Sequence, residues 1–192
     1  MSAKMRSPAL FPSTAGSQKM SYRNTALRLV SAAAFTGSVA LAGSAPALAE
    51  PNTGSASDMN TLAAALSKGY GLNNCKPQEL TESGELAELL CGQSPDPSGP
   101  GSGVYALFSN GTNLASAFSS TIKDVSLANC GDAGQSPGTW KQNGQTGGQI
   151  ACGTYKNYAT LTWTTDAKNV LGHLTAANSD VNALYQWWRT NG

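Results

Sequence analysis

The sequence contains one histidine, His173, in 192 residues. A metal site or a histidine-based catalytic group needs partners, and there is no second imidazole to supply one. A G-x-S-x-G elbow is also missing, so a serine hydrolase has neither its turn nor its usual base. The four cysteines never fall as C-x-x-C, which removes the common zinc frameworks. Charged residues make up 12% of the chain, and no basic stripe exists to follow a phosphate backbone. Nucleic acid is therefore not an expected partner. Long apolar runs are lacking too. The longest, residues 29–42, is short and rich in Ala, Gly and Ser, unlike a membrane span. Neither a cofactor nor a metal is expected.

What is present begins with an export signal. Arg23 and Arg28 precede the apolar run, and Ala47-Leu48-Ala49 forms an A-x-A cleavage site. Residues 1–49 read as a signal peptide, with 1–19 either an over-extended start ahead of Met20 or a long basic region. No cysteine falls at the cleavage site, so lipoprotein anchoring is not expected, and no Arg-Arg pair marks the twin-arginine route. Residues 50–57 read as a flexible leader. Residues 58–192 then form a single secreted domain, large enough to bury its own core. From residue 50 onward seven Lys/Arg stand against eleven Asp/Glu, a mildly acidic balance.

Cys75, Cys91, Cys130 and Cys152 all follow the signal, and an even count in an exported chain reads as two disulfides. Their surroundings repeat. A helical pattern from Asp58, with Met59, Leu62, Ala63 and Leu66 on one face, leads to NNC75 and then ELAELLC91. GVYALFS follows, and then a helix with Leu114, Ala117, Phe118 and Ile122 on one face. After it come ANC130, a polar loop through Trp140, GGQIAC152, YATLTW, a helix over 166–177, and a last helix carrying Val181, Leu184, Tyr185 and Trp188. The two halves read as a duplicated ββα unit. Duplication selects the pairing Cys75–Cys91 and Cys130–Cys152, each stabilising by roughly 3 kcal/mol through loop closure. The expected fold is α+β: a two-layer sandwich in which two β-hairpins form one antiparallel sheet with helices on one face. The open face would carry Tyr158, Thr160 and Thr162.

Candidate sites are few. His173 reads as a half-exposed helical residue. Glu79, Glu82, Glu85 and Glu88, spaced by three, read as a solvated face. The alternative is an envelope hydrolase using Glu85 or Glu88, which would need a second acid across a cleft. Trp187 and Trp188 are adjacent on a helix, about 100° apart, so both cannot point straight into one core. One of them, with Trp140, forms a candidate aromatic ligand site. The competing reading has both indoles capping the core and anchoring the C-terminal helix. Asn110-Gly111-Thr112 reads as a turn before a helix.

The order Trp140, GGQIACG, LTWTTD, ALYQWW resembles actinobacterial secreted proteins and the extracytoplasmic regions of some actinobacterial serine/threonine kinases. SKGYGLNNC and LLCGQ are similar to segments of small exported mycobacterial proteins. The resemblance implies a sensor-like or ligand-binding module with no catalytic residues. Without a kinase domain or retained membrane helix, a sensor role would require a partner. The expected function is a secreted, non-enzymatic binding module whose ligand is a cell-envelope component or another exported protein. A structural or antigenic wall protein is the remaining alternative. Mass spectrometry of the exported protein should place its N-terminus at Glu50, after cleavage between Ala49 and Glu50; a retained leader would refute the export reading.

Overall fold

The computed structural model describes residues 50–192; the expected signal peptide and cleavage site lie outside the described residues, apart from Glu50. Among these residues, three α-helices and eight strands run in the order α1 (Ala56–Ala63), β1 (Cys75–Pro77), β2 (Glu85–Cys91), β3 (Ser102–Phe108), α2 (Gly111–Ile122), β4 (Ser126–Ala128), β5 (Gly138–Gln142), β6 (Gln145–Tyr155), β7 (Tyr158–Thr165), β8 (Val170–Thr175) and α3 (Val181–Asn191), with short 3-10 turns at Gly131–Ala133 and Asp166–Lys168. The protein is α+β, as expected, but its sheet has eight strands where two hairpins would provide four.

Local chemistry sets the boundaries. Ser55 caps α1: its Oγ accepts from the Asp58 N–H at 3.1 Å and donates to the Asp58 carboxylate at 2.6 Å. The helix thus starts ahead of Asp58, within the segment expected to be a leader, and stops at Ala63, well short of Gly69. The leader is also tied to the domain, because Asn52 O accepts from the Leu80 N–H at 2.9 Å. Asn110 and Asp180 cap α2 and α3 by accepting from the Asn113 and Ala183 N–H groups. Two tight turns fold β5–β6–β7. Asn143 and Gly144 have φ of 51° and 79°, Lys156 and Asn157 of 49° and 68°. Positive φ at both central residues suits the right-handed twist of hairpin strands.

The strands pair antiparallel in the order β1-β2-β3-β8-β7-β6, and the far edge of β6 carries β5 and β4 one after the other, on Gln145–Ile150 and Cys152–Thr154. The disulfides are Cys75–Cys91 and Cys130–Cys152. Cys75 faces Cys91 directly across β1 and β2, while Cys130 lies just beyond β4 and reaches Cys152 on β6. Both bonds therefore sit at the outer margins of the sheet.

Helices cover both faces of the sheet, which corrects the two-layer expectation. On one face Leu62 of α1 and Leu184, Tyr185, Trp187 and Trp188 of α3 pack with Leu89, Tyr105, Ile150, Leu161, Trp163 and Leu174. On the other, Leu114 and Phe118 of α2 pack with Ala106, Phe108, Ala151 and Leu171. The threonine face of β7 is consequently buried, with Thr160, Thr162 and Thr164 each no more than 2% exposed.

The region 166–177 also differs from expectation. Apart from the short turn Asp166–Lys168 it is strand β8, with no α-helix. β8 is central and buried on both faces, so Val170 and Leu174 join one core while Leu171 joins the other. A strand buried on both sides has no alternation to distinguish it from a helix. Gly172 shows how tight its packing is: a Cβ there would lie 2.3 Å from the Trp163 ring. Gly172→Ala should destabilise the fold by about 1–3 kcal/mol through overpacking, read as a lower urea midpoint; an unchanged midpoint would mean that the indole shifts freely.

Candidate functional site

The tryptophans come together, but as core. Trp187 and Trp188 are 7% and 4% exposed, although they are adjacent on α3. Their directions diverge within one buried face. Trp188 packs on Trp163 with ring centroids 5.7 Å apart, and Trp187 packs edge-on against Tyr70 at 6.4 Å. The Trp187 indole N–H donates to Asp96 at 2.9 Å. Trp140 is half-buried on β5, edge-on to Trp188 at 5.5 Å, and its N–H donates to Thr164 O at 2.7 Å. Trp140 and Trp188 still border a shallow depression with Lys141, Asn143 and Arg189, but its walls are mostly polar side chains. The anchoring role weighed for these indoles thus describes their packing.

A more apolar cleft lies on the opposite face, beside α2. Its volume is about 310 Å³. The sheet supplies Val104, Ala106 and Phe108 from β3 with Leu171 and His173 from β8; α2 supplies Ala117, Ser120 and Thr121. The cleft exists because those last three side chains are small. Leu114 and Phe118, on the same helix, fill the interface where it closes.

One wall is acidic, and a β-bulge places it. Residues three apart on a regular strand point to opposite faces. Here Glu85 pairs with Phe108 and Ala87 with Leu107, so Leu86 is an inserted residue without a partner. Glu88 pairs with Ala106, two residues from Phe108, so the bulge brings Glu85 and Glu88 to the same face. The expectation of a solvated glutamate row is therefore corrected: Glu79 and Glu82 are exposed, Glu88 is half-buried, and Glu85 is 7% exposed. Glu85 Oε2 accepts from the Thr81 and Glu82 N–H groups at 3.1 and 3.2 Å. Its Oε1 is buried without a hydrogen-bond partner. Burial, then the neighbouring Glu85 carboxyl, then Glu82, push the Glu88 carboxyl up to about 7.

His173 faces the same cleft from β8, not from a helix. Its Nδ1 lies 2.8 Å from Thr162 Oγ1 and its Nε2 3.3 Å from Thr175 Oγ1. Burial lowers its pKa to about 4, so the imidazole is neutral near pH 7. Among the described residues, no group of three His, Cys, Asp or Glu converges to hold a metal. None of their helices is long and apolar enough to cross a membrane.

No family model, no curated protein and no solved structure matches the chain. The site must therefore be read from its own chemistry. The Glu85–Glu88–His173 grouping escaped sequence reasoning because it depends on the bulge and on β8 being a strand.

Glu88 and His173 give opposite pH dependences. Between about 4.5 and 7 the folded protein keeps a proton on Glu88 that the unfolded chain has released, so stability falls as pH rises through that window. Between about 4 and 6.5 the unfolded chain binds a proton that His173 refuses when folded, so stability rises with pH there. Glu88→Gln should remove only the falling component. It should raise stability at pH 8 by about 1–2 kcal/mol, allowing for partial solvent screening, with no gain at pH 4. Urea unfolding at both pH values checks this; an equal gain at each would show that the carboxyl does not titrate as described.

Proposed function

We propose that this protein is a binding module of the cell envelope that holds a small ligand in the cleft beside α2, without catalysis. The observation carrying the reading is the cleft itself. It has a buried apolar floor, a single acidic wall and a size at the lower end of small-molecule sites. Two disulfides are typical of extracellular proteins, which supports the exported setting. The resemblance read in the sequence would imply a binding role rather than a purely structural one. A duplicated ββα origin also fits, since each half keeps its own cysteine pair. The ligand site expected at Trp140, Trp187 and Trp188 gives way in this reading to the α2 cleft, because those indoles are committed to packing.

One observation favours a second reading, the envelope hydrolase. A carboxyl still protonated near neutrality, as at Glu88, is suited to general-acid chemistry. Against it, Glu85 and Glu88 share one wall, whereas glycoside hydrolysis uses acids on either side of the scissile bond.

Filling the cleft tests the binding reading. A ligand at 100 times its Kd adds about 2.7 kcal/mol of stability. Some fraction of solubilised envelope should raise the melting temperature of the wild type by several degrees and leave Ala117→Phe unmoved. If no fraction shifts the wild type, binding fails; peptidoglycan clearing that Glu88→Gln abolishes would establish the hydrolase instead.

A further inference from the structure

The acidic wall identifies what the cleft would select. Glu85 is held in place by the two backbone N–H groups on its Oε2, so its carboxyl has no freedom to turn away. The remaining oxygen, Oε1, is buried and unpartnered on a side chain that lines the cleft. A buried acceptor left without a partner is costly, and a donor placed against it would recover that cost. Glu88 stands beside it on the same face, and Glu82 lies at the rim.

The rest of the lining sets the sign and shape of the ligand. Among the described residues, no Lys or Arg borders the cleft. Beyond the glutamates, the cleft is bordered from β3 by Val104, Ala106 and Phe108, from β8 by Leu171 and His173, and otherwise by small or hydroxyl side chains. Of these only His173 titrates, and it is neutral near pH 7, with both ring nitrogens near threonine hydroxyls. Every charge that the cleft can carry at that pH is therefore negative. An ammonium group offers three donors, a hydroxyl only one. A bound metal ion does not suit the site, since three ligating side chains do not converge there.

Resting on the cleft-binding reading above, we propose that the cleft selects a small aliphatic amine. Its ammonium group sits between Glu85 Oε1 and Glu88, and its hydrocarbon stem lies along Val104, Ala106 and Leu171. Binding at acidic pH displaces the proton of Glu88 to solvent while the ammonium takes its place. Affinity therefore rises with pH until Glu88 is already ionised.

Calorimetry on the disulfide-intact protein with hexylamine, hexanol and hexanoate tests this. Hexylamine should bind at least about tenfold tighter than hexanol, and hexanoate should not bind. Hexylamine affinity should rise about tenfold or more from pH 5.5 to 7.5, as expected when one proton is released across that range. Glu88→Gln should weaken hexylamine about tenfold and leave hexanol within about twofold, a loss typical of a charge-assisted contact. Hexanol binding as tightly as hexylamine, or an affinity flat with pH, would overturn the amine assignment and leave the cleft reading standing. If none of the three binds, the amine assignment falls, and the failure reaches the cleft reading only if envelope fractions also leave the wild type unshifted.

Discussion

The fold depends on where α3 sends its two adjacent indoles. Trp188 leads to Trp163 on β7, Trp163 to Tyr105 on β3, Tyr105 to Tyr70 in the loop after α1, and Tyr70 back to Trp187. This is a closed circuit of aromatic contacts, with centroids between 5.7 and 6.4 Å, that begins and ends on one helix. Such pairs contribute about 0.5–1.5 kcal/mol each beyond their burial. The circuit draws the C-terminal helix, the middle of the sheet and the N-terminal segment into one cluster. The Lys68 N–H donating to Asn191 O at 2.6 Å closes the same junction through the backbone.

Because α1 and α3 together cover one face so fully, the other face is left to α2 alone. A single helix cannot seal eight strands, and the small residues on its last turns leave the cleft open. The division of labour is physical. The aromatic face carries most of the large buried side chains, while the α2 face holds the buried acid, the half-buried acid and the histidine. Stability and ligand chemistry thus reside on opposite sides of the same strands.

Much of this was legible in the residues. The cysteine pairs, β2, β3, β6, β7, α2 and α3 follow from apolar periodicity, capping residues and cysteine spacing. The three-residue strands β1 and β4 are too short to carry a pattern. β5 is an exposed, mostly polar edge strand, yet Asn143-Gly144 between GTWKQ and QTGGQ was a hairpin signal. β8 carries no strand pattern because burial on both faces erases alternation. The site was less legible than the fold. Two glutamates three apart on a strand should oppose one another, and only the inserted Leu86 reverses that. His173 acquires its threonine partners through pairing between β7 and β8, which the helix reading excluded. The tryptophans drew attention as a ligand site because adjacent indoles on a helix rarely both fit one core; here the spread of the strands beneath α3 accommodates each in a different direction.

The placement of the disulfides has a consequence of its own. A sheet's outermost strands present unpaired amide and carbonyl groups, the usual entry points for fraying and for recruitment of foreign strands. Here the three-residue strand β1 is bonded covalently to β2, and the chain leaving β4 is bonded to β6. Neither β1 nor the chain leaving β4 can peel away by breaking hydrogen bonds alone; β5, on the same edge of β6, is held only by its ladder and by the Trp140 contacts. The molecule carries its covalent reinforcement where unravelling and uncontrolled fibre growth would begin, leaving the interior to be held by packing.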